Sequence, residues 1–318
     1  MEIWRRIFEN NKKMISVEKI KSLFRGKISI NEPMAKYTSF RIGGPADFYC
    51  EPIDKKDLIS LVQYFSKEKF PFIIIGRGSN LLISDEGIRG AVINLEKQLN
   101  SLTIKDEIVT AESGARLAIF VDFCIQRSLV GVEMLAGIPG TIGGAVVMNA
   151  GAYGGEISDN LTEVEILRNG ELKKIKKSEA EFSYRHSAFS NDIVLSASFK
   201  LQKGDVSQLL NRRRELLLKR NSSQPLNLPN SGSVFKNPIG THAGKLVEEA
   251  GLKGFQFGGA KISDKHGNFI VNLGDAKAKD IIELIHTAQD KVFARTNIKL
   301  QLEVKLVGFT EDEMVLVK

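Results

Sequence analysis

The chain has 318 residues, 42% of them apolar, and a formal net charge of +7 at neutral pH. This length allows a large core and two or three domains, and it disfavours a single small module. The two cysteines, Cys50 and Cys124, lie far apart and neither belongs to a CxxC pair, so we expect neither a disulfide framework nor a metal site. No apolar run is long enough for a signal peptide or a membrane span, so we expect a cytoplasmic protein without a membrane partner.

The first segment, to about residue 97, alternates helical and strand patterns. Asp54–Lys69 has the periodicity of an amphipathic helix, and Phe72–Ile75 is a short apolar run that ends in glycine, which predicts a buried strand. From residue 98 to residue 206 the pattern predicts strands around one helix, Arg116–Ser128. The strand-like stretches there are Ile108–Ala111, Glu163–Leu167 and Ile193–Leu201.

The third segment begins with a basic helix and continues through a turn-rich run at 221–232 to a predicted helix at Ala276–Arg295. We expect the last strand, Leu300–Val307, to rejoin an earlier part of the chain. The basic helix places Arg212, Arg213, Arg214, Lys219 and Arg220 among Leu209, Leu210, Leu216, Leu217 and Leu218. This pattern is typical of an amphipathic helix with a solvated face. A nucleic-acid-binding surface is the alternative, and the lack of interleaved aromatic residues in this segment argues against it.

A glycine-rich loop directly follows the predicted strand at Phe72–Ile75. Its residues are Gly76, Arg77, Gly78, Ser79, Asn80 and Leu81. Glycines allow a tight turn whose backbone N–H groups approach an anion closely, which is typical of a phosphate-binding loop. Leu81 stands where a GxGxxG fingerprint needs its third glycine, and the chain contains no GxxxxGK[ST] motif. An ordinary tight turn is therefore an equal alternative to a ligand site.

A second glycine-dense loop spans residues 137–155. It contains Gly137, Ile138, Pro139, Gly140, Thr141, Ile142, Gly143 and Gly144, and continues through Asn149 and Gly151 to Gly155. Ordering so many glycines costs conformational entropy, which favours a site where a ligand approaches the backbone. A glycine-rich β-arch without a ligand is the alternative.

Three side chains that lie far apart in sequence are candidates for chemistry. Ser233 lies in SGSVFKNP at 231–238, where flexible neighbours can present its hydroxyl to a cavity, although a turn serine is the default. No GxSxG motif surrounds it, which argues against a hydrolase nucleophile. Arg185 and Glu303 lie far apart in sequence, and the default interpretation of such residues is a surface ion pair. Glu303 and Lys305 are two residues apart on a predicted strand, so we expect them to share a face.

Four motifs occur in a definite order: TSFRIGG at 38–44, GRGSNLL at 76–82, GIPGTIGG at 137–144 and NAGAYG at 149–154. Their order and spacing resemble the FAD-binding half of the UDP-N-acetylenolpyruvoylglucosamine reductase family. The resemblance implies an α+β fold with a two-lobed FAD-binding domain of the vanillyl-alcohol oxidase (PCMH) type and a C-terminal α+β substrate-binding domain. It also implies that both glycine loops, with Asn149, Gly151 and Ile193, bind FAD without a covalent link.

The resemblance predicts where the domains divide. The first FAD-binding lobe is expected at 1–97, with an N-terminal extension at 1–25, and the second lobe at 98–206. The substrate-binding domain is expected at 207–300, and residues 301–318 carry the final strand back towards the FAD lobes. Gln202–Asp205 leads straight into the basic helix, where some family members insert a segment with a substrate-covering tyrosine. The chain therefore resembles the shorter, type II members.

The resemblance also assigns catalytic roles to Arg185, Ser233 and Glu303. It implies that NADPH reduces the flavin and that a hydride then passes to C3 of the enolpyruvyl ether of UDP-N-acetylglucosamine enolpyruvate. Arg185, with Glu303, would stabilise the developing negative charge, and Ser233 would protonate C2. The product would be UDP-N-acetylmuramate for peptidoglycan synthesis.

Four further residues are implied to contact the nucleotide sugar, namely Tyr184, Lys236, Asn237 and Lys253. His266, in DKHGN at 264–268, is predicted to be a turn residue rather than a catalytic base. A flavin-dependent oxidase of the same FAD fold is the alternative among enzymes. We expect a monomer that binds no nucleic acid.

Overall fold

The computed structural model describes residues 15–315 and residue 317, so residues 1–14 of the predicted N-terminal extension lie outside the described residues. The described chain forms two compact units. Unit 1 contains the described residues of 1–30 together with 47–77 and 89–218, and unit 2 contains 31–46, 78–88 and the described residues of 219–318. The predicted boundaries at residues 97, 206 and 300 remain predictions.

Helices and strands are mixed along the whole described chain. The helices are α1 Val17–Leu23, α2 Lys55–Lys67, α3 Leu117–Ile125, α4 Ile142–Met148, α5 Val206–Ser223, α6 Ala243–Glu249, α7 Ala278–Thr296 and α8 Glu311–Val315. The strands are β1 Lys27–Pro33, β2 Pro45–Glu51, β3 Phe72–Ile75, β4 Leu81–Ile83, β5 Ile88–Asn94, β6 Leu102–Lys105, β7 Ile108–Glu112, β8 Leu129–Val130, β9 Gly151–Ala152, β10 Gly155–Glu156, β11 Leu161–Arg168, β12 Glu171–Lys176, β13 Ile193–Lys200, β14 Gln202–Lys203, β15 Gln256–Phe257, β16 Ala260–Ile262, β17 Ile270–Asn272 and β18 Lys305–Val307.

The predicted helix at Asp54–Lys69 is confirmed as α2, and the strand at Phe72–Ile75 is confirmed as β3. Asp54 caps the helix, because its side chain accepts a hydrogen bond of 2.8 Å from the backbone N–H of Asp57. The helix ends before its predicted last residue, since Lys69 adopts a left-handed φ of 54°. Strand β3 pairs in parallel with β5, in a sheet of order β1-β2-β5-β3.

An antiparallel sheet of order β12-β11-β13-β7-β6 forms the second layer of unit 1. Apolar side chains of β7, β11 and β13 lie in one buried core with helix α3. All three strands predicted between residues 98 and 206 are confirmed, each with slightly different ends. Helix α3 is shorter than the predicted Arg116–Ser128, and Ser128 takes a left-handed φ of 59° beyond its end.

One prediction needs correction, because residues 137–155 are not a continuous loop. Helix α4 occupies the middle of this glycine-dense segment. Its Ile142, Ala145 and Val146 are buried in the core of unit 1, and this burial outweighs the low helix propensity of glycine. A Cβ at Gly143 would lie 2.3 Å from Oγ of Ser113, so this glycine permits close packing of the helix.

Unit 2 is built around helix α7, whose Ile281, Leu284 and Ile285 are fully buried. The small antiparallel sheet β15-β16-β17 belongs to the same unit. The last strand does rejoin an earlier part of the chain, because β18 pairs in parallel with β4. It is shorter than the predicted Leu300–Val307, since continuous pairing begins at Lys305 and Leu302 makes an isolated bridge to Phe235.

The basic segment forms helix α5, as predicted. Asp205 caps it by accepting from the backbone N–H groups of Ser207 and Gln208, so β14 leads directly into the helix. Only Leu209 and Leu216 of this helix are buried, which leaves most of its surface solvated. Among the described residues, no helix has the length and apolar character needed to cross a membrane.

We predict that Gly78→Ala destabilises the protein far more than Gly170→Ala. Both glycines have positive φ, 61° and 81°, so both alanines pay about 1–2 kcal/mol for a left-handed backbone. A Cβ at Gly78 would also lie 2.0 Å from the carbonyl oxygen of Tyr37, whereas nothing lies within 4 Å at Gly170. We expect an additional loss of about 1–3 kcal/mol for Gly78→Ala, measured as a lower thermal midpoint. Equal midpoints for the two variants would contradict the close approach.

Candidate active site

Gly76 of the first predicted cofactor loop lies against Thr141 of the second, and both residues belong to unit 1. A Cβ at Gly76 would lie 2.2 Å from Oγ1 of Thr141, so only glycine allows this approach. Gly140 has a φ of 147°, which also favours glycine. Thr141 pairs with Arg116 in an antiparallel bridge that fixes the second loop. Residues 65 positions apart therefore form one surface at the start of helix α4.

Two arginines share a carboxylate beside these loops. Glu96 accepts from Nη1 of Arg77 at 3.2 Å and from Nε of Arg116 at 2.7 Å. All three groups belong to unit 1, and together they carry a net positive charge. A cofactor diphosphate would be stabilised by such charge. The sequence patterns predicted Arg77 here but missed Glu96 and Arg116, because neither lies in a glycine motif.

Asn149 carries a buried acceptor that has no protein donor. Its Nδ2 donates to Oε2 of Glu156 at 2.6 Å and to the carbonyl oxygen of Ser183 at 3.0 Å. Its Oδ1 is buried and makes no hydrogen bond. Leaving such an atom unpaired costs roughly 1–3 kcal/mol. A bound cofactor that offers an N–H or O–H group would remove this cost, so the residues present fit a flavin nucleotide.

Arg185 lies in a tight turn of unit 1 rather than on a regular strand. Its φ is 54°, and Ser183 and His186 form a bridge around it. Its Nη2 donates to the carbonyl oxygen of Gly151 at 3.0 Å, and its guanidinium lies 5.1 Å from the ring centroid of Tyr184. Arg185 is half-buried, while Tyr184 is exposed.

Ser233 and Glu303 are brought together in unit 2 by backbone pairing. The backbone N–H of Glu303 donates to the carbonyl oxygen of Val234 at 2.8 Å. The N–H of Lys236 donates to Gln301 at 2.8 Å, which continues the same pairing. Nδ2 of Asn80 donates to the carbonyl oxygen of Glu303 at 3.0 Å. The structure thus joins Asn80, a predicted cofactor residue, to Glu303, a predicted catalytic residue.

A buried asparagine holds the other side of the serine segment. Asn268 is 3% exposed, and its side chain both accepts from the N–H of Phe235 at 2.9 Å and donates to the carbonyl oxygen of Phe235 at 2.8 Å. The N–H of Val234 donates to the carbonyl oxygen of Asn268 at 2.9 Å. Residues 233–236 are therefore fixed from two sides. No sequence pattern distinguished Asn268 from an ordinary turn residue.

Lys305 interacts electrostatically with both Lys236 and Glu303. Partial desolvation of the ammonium group, followed by the charge of Lys236, lowers the pKa of Lys305 below its usual value, while Glu303 opposes this shift. Glu303 precedes β18, which begins at Lys305, so the expectation that the two side chains share one face of a strand remains a prediction. This cluster suits an anionic ligand.

A polar cavity of about 340 Å³ opens beside Ser233. Its lining residues are Ser233, Asn237, His242, Gly244, Lys245, Glu248, Lys265, His266, Gly267 and Asn268. Oδ1 of Asn237 accepts from the N–H of Ala243 at 3.1 Å, and Lys253 pairs with Glu248 at 3.2 Å. His266 is a turn residue, as predicted, because the N–H of Phe269 donates to its carbonyl oxygen at 3.0 Å.

The predicted site residues are divided between the two units. Unit 1 contains Gly76, Arg77, Gly137, Ile138, Pro139, Gly140, Thr141, Gly143, Gly144, Asn149, Gly151, Tyr184, Arg185 and Ile193, and unit 2 contains Gly78, Ser79, Asn80, Leu81, Ser233, Lys236, Asn237, Lys253 and Glu303. The side chain of Ile193 packs into the core of unit 1. No cluster of three or more His, Cys, Asp or Glu suited to a metal occurs within residues 15–315 and 317.

Two family models match different parts of the chain. Residues 46–176 match the model of an FAD binding domain. Residues 224–307 match the model of the UDP-N-acetylenolpyruvoylglucosamine reductase C-terminal domain. The fold and the site together define an FAD-binding enzyme, which confirms the predicted fold class and cofactor.

Curated relatives cover almost the whole chain. A UDP-N-acetylenolpyruvoylglucosamine reductase of Chloroherpeton thalassium is 47% identical over 94% of this chain and 99% of the relative. One of Caldanaerobacter subterraneus is 43% identical over 92% of this chain and 98% of the relative. A solved structure of the reductase from Thermus caldophilus has a TM-score of 0.77 and 35% identity, and covers 89% of this chain and 99% of that chain. The chain belongs to the UDP-N-acetylenolpyruvoylglucosamine reductase family.

We predict that acid or heat releases FAD completely from the purified protein. No Cys or His lies within 76–81 or 137–144 as an attachment point. Burial raises the pKa of the thiols of Cys50 and Cys124 to about 12, so neither forms a reactive thiolate near neutral pH. After precipitation, all flavin absorbance should remain in the supernatant. Colour retained by the washed precipitate would contradict a non-covalent cofactor.

We also predict that His266 makes the fold less stable in mild acid. Burial, followed by the charge of Lys253, lowers the pKa of His266 below its usual value near 6.5. The folded protein therefore binds this proton less readily than the unfolded chain, so stability is full above pH 6.5 and falls as pH drops through the folded-state pKa. His266→Gln should reduce the fall in thermal midpoint between pH 7 and pH 5. The half-buried His286 provides the control, and an equal pH response in His266→Gln and His286→Gln would contradict the assignment.

Proposed function

We propose that the chain reduces the enolpyruvyl group of UDP-N-acetylglucosamine enolpyruvate with NADPH to form UDP-N-acetylmuramate. The observation that carries this proposal is the pairing of the Ser233 segment with the Glu303 segment beside a polar cavity. This pairing fixes the backbone that carries Ser233 and Glu303, and a hydroxyl and a carboxylate held on neighbouring segments would suit the addition of a hydride and a proton across a carbon–carbon double bond. The names of the curated relatives support the same reaction.

Bound FAD would supply the hydride transfer, taking the hydride from NADPH and delivering it to C3 of the enolpyruvyl group. The protein residues then control charge and protons. Arg185 would stabilise the negative charge that develops on the substrate carboxylate, and Ser233 would donate the proton that C2 needs. Glu303 would act beside Ser233, within a cluster that also contains Lys236 and Lys305.

Four residues account for recognition of the nucleotide sugar in this proposal. Lys236 and Lys253 would bind its diphosphate, while Asn237 and Tyr184 would contact the remainder of the substrate. Asn237 lines the same cavity as Ser233, and Lys236 lies on the paired segment. We further propose a cytoplasmic monomer that supplies peptidoglycan synthesis and binds no nucleic acid.

We predict that Ser233→Ala separates the two halves of the reaction. Reduction of the flavin by NADPH needs no proton from Ser233 and should stay within about twofold of the original rate. Reoxidation by the enolpyruvyl substrate should slow by roughly a hundredfold to ten-thousandfold, because a general acid is lost. Stopped-flow absorbance of the flavin measures both halves, and Ser222→Ala on helix α5 is the control. A normal reoxidation rate in Ser233→Ala would remove Ser233 from the proposed mechanism.

A further inference from the structure

The turn that carries Arg185 is attached to the segment that ends helix α4. We call residues 183–187 the Arg185 turn. Three hydrogen bonds hold this turn. Nδ2 of Asn149 donates to the carbonyl oxygen of Ser183 at 3.0 Å, and Nη2 of Arg185 donates to the carbonyl oxygen of Gly151 at 3.0 Å. Oγ of Ser187 donates to the carbonyl oxygen of Val147 at 2.9 Å. The second of these bonds uses the guanidinium itself. The orientation of Arg185 therefore depends on the backbone of residues 147–151.

A short hairpin brings Glu156 back to this segment. Tyr153 and Gly154 both have positive φ, 54° and 84°, which is the conformation of a two-residue type I′ turn. Strands β9 and β10 consequently pair with Glu156 opposite Gly151. From this position Oε2 of Glu156 accepts from Nδ2 of Asn149 at 2.6 Å. The hairpin spacing thus determines which carboxylate reaches the asparagine.

The carboxylate fixes which way the Asn149 amide points. Nδ2 faces two acceptors, Glu156 and Ser183, so a reversed amide would place Oδ1 against a carboxylate and a carbonyl oxygen. A hydrogen bond to an ionised acceptor is about twice as strong as one between neutral groups. Removing the carboxylate would allow the amide to rotate and release Ser183.

We propose that Glu156 and Asn149 are positioning residues for Arg185. Glu156 holds the amide of Asn149, and the amide holds the Arg185 turn in the geometry required for catalysis. The role of Arg185 belongs to the proposed function, and this inference rests on it. Asn149 was expected from sequence to bind FAD. If Glu156 and Asn149 acted only on the cofactor, Glu156→Ala would weaken FAD binding and slow both half-reactions equally.

The test compares Glu156→Ala and Glu156→Gln with Glu171→Ala, an exposed glutamate of β12 in the same unit. In Glu156→Ala saturated with FAD, the rate of flavin reduction by NADPH should stay within about twofold. Reoxidation by the enolpyruvyl substrate should slow by about tenfold to a hundredfold, since small misplacements of a catalytic group have effects of that order. Glu156→Gln keeps an acceptor of the same shape and should lose less.

The decisive comparison introduces Glu156→Ala into the Arg185→Ala variant. If Glu156 acts through Arg185, adding Glu156→Ala to Arg185→Ala should slow reoxidation no further. A full additional loss would overturn the proposal. Unchanged reoxidation in Glu156→Ala would also overturn it. Weakened FAD binding with both half-reactions slowed equally would overturn it as well, because that result would assign Glu156 and Asn149 to cofactor binding. If Glu156→Ala fails to fold, the same comparisons apply to Glu156→Gln.

Hydrogen exchange separates this inference from the proposed function. The N–H of His186 donates to Ser183 at 3.0 Å within the Arg185 turn. Amides of residues 183–187 should exchange at least about tenfold faster in Glu156→Ala than in the wild-type chain, and at the wild-type rate in Glu171→Ala. Unchanged exchange in Glu156→Ala overturns the inference whatever the activity. A wild-type enzyme whose reduced flavin is not reoxidised by the substrate overturns the proposed function instead.

Discussion

The pairing of residues 233–236 with residues 301–303 is the interaction on which the proposed chemistry of unit 2 depends. Backbone hydrogen bonds fix this pairing, so the main chain determines where the side chains of Ser233 and Glu303 begin. Asn268 secures the same segment from within the core, where an unpaired amide would be costly. A site built on paired backbone can hold a weak acid such as a serine hydroxyl in one place.

Sequence patterns predicted helices and strands correctly where the spacing of the apolar residues matches the side chains that become buried. Helix α2 and strand β3 have apolar residues at the spacing of their own structure, and the packing of unit 1 preserves both. Helix α4 was missed because its glycines indicate a loop, and only tertiary contacts reveal that Gly143 permits close packing. The final strand was overextended, because alternation alone does not show where pairing begins.

The candidate site followed from sequence only in part. The glycine motifs predicted that loops around Gly76 and Thr141 belong to one cofactor site, but their contact depends on the fold rather than on either motif. Glu303 looked like an ordinary strand glutamate, and its hydrogen bond to Val234 is a long-range feature. Glu156 had a local signal, since a two-residue hairpin at Tyr153 places it opposite Gly151.

The nitrogen and the oxygen of the Asn149 amide have different environments. Its Nδ2 is committed to Glu156 and to the Arg185 turn, while its buried Oδ1 has no protein donor. The left-handed conformation of Asn149, with a φ of 42°, ends helix α4 and is one that asparagine tolerates better than most residues. One side chain at the end of a cofactor-loop helix can therefore accept from a bound flavin nucleotide while its other end orders Arg185. A ligand that stabilises this amide orientation would also stabilise the Arg185 turn, and would thereby link cofactor binding to the proposed role of Arg185.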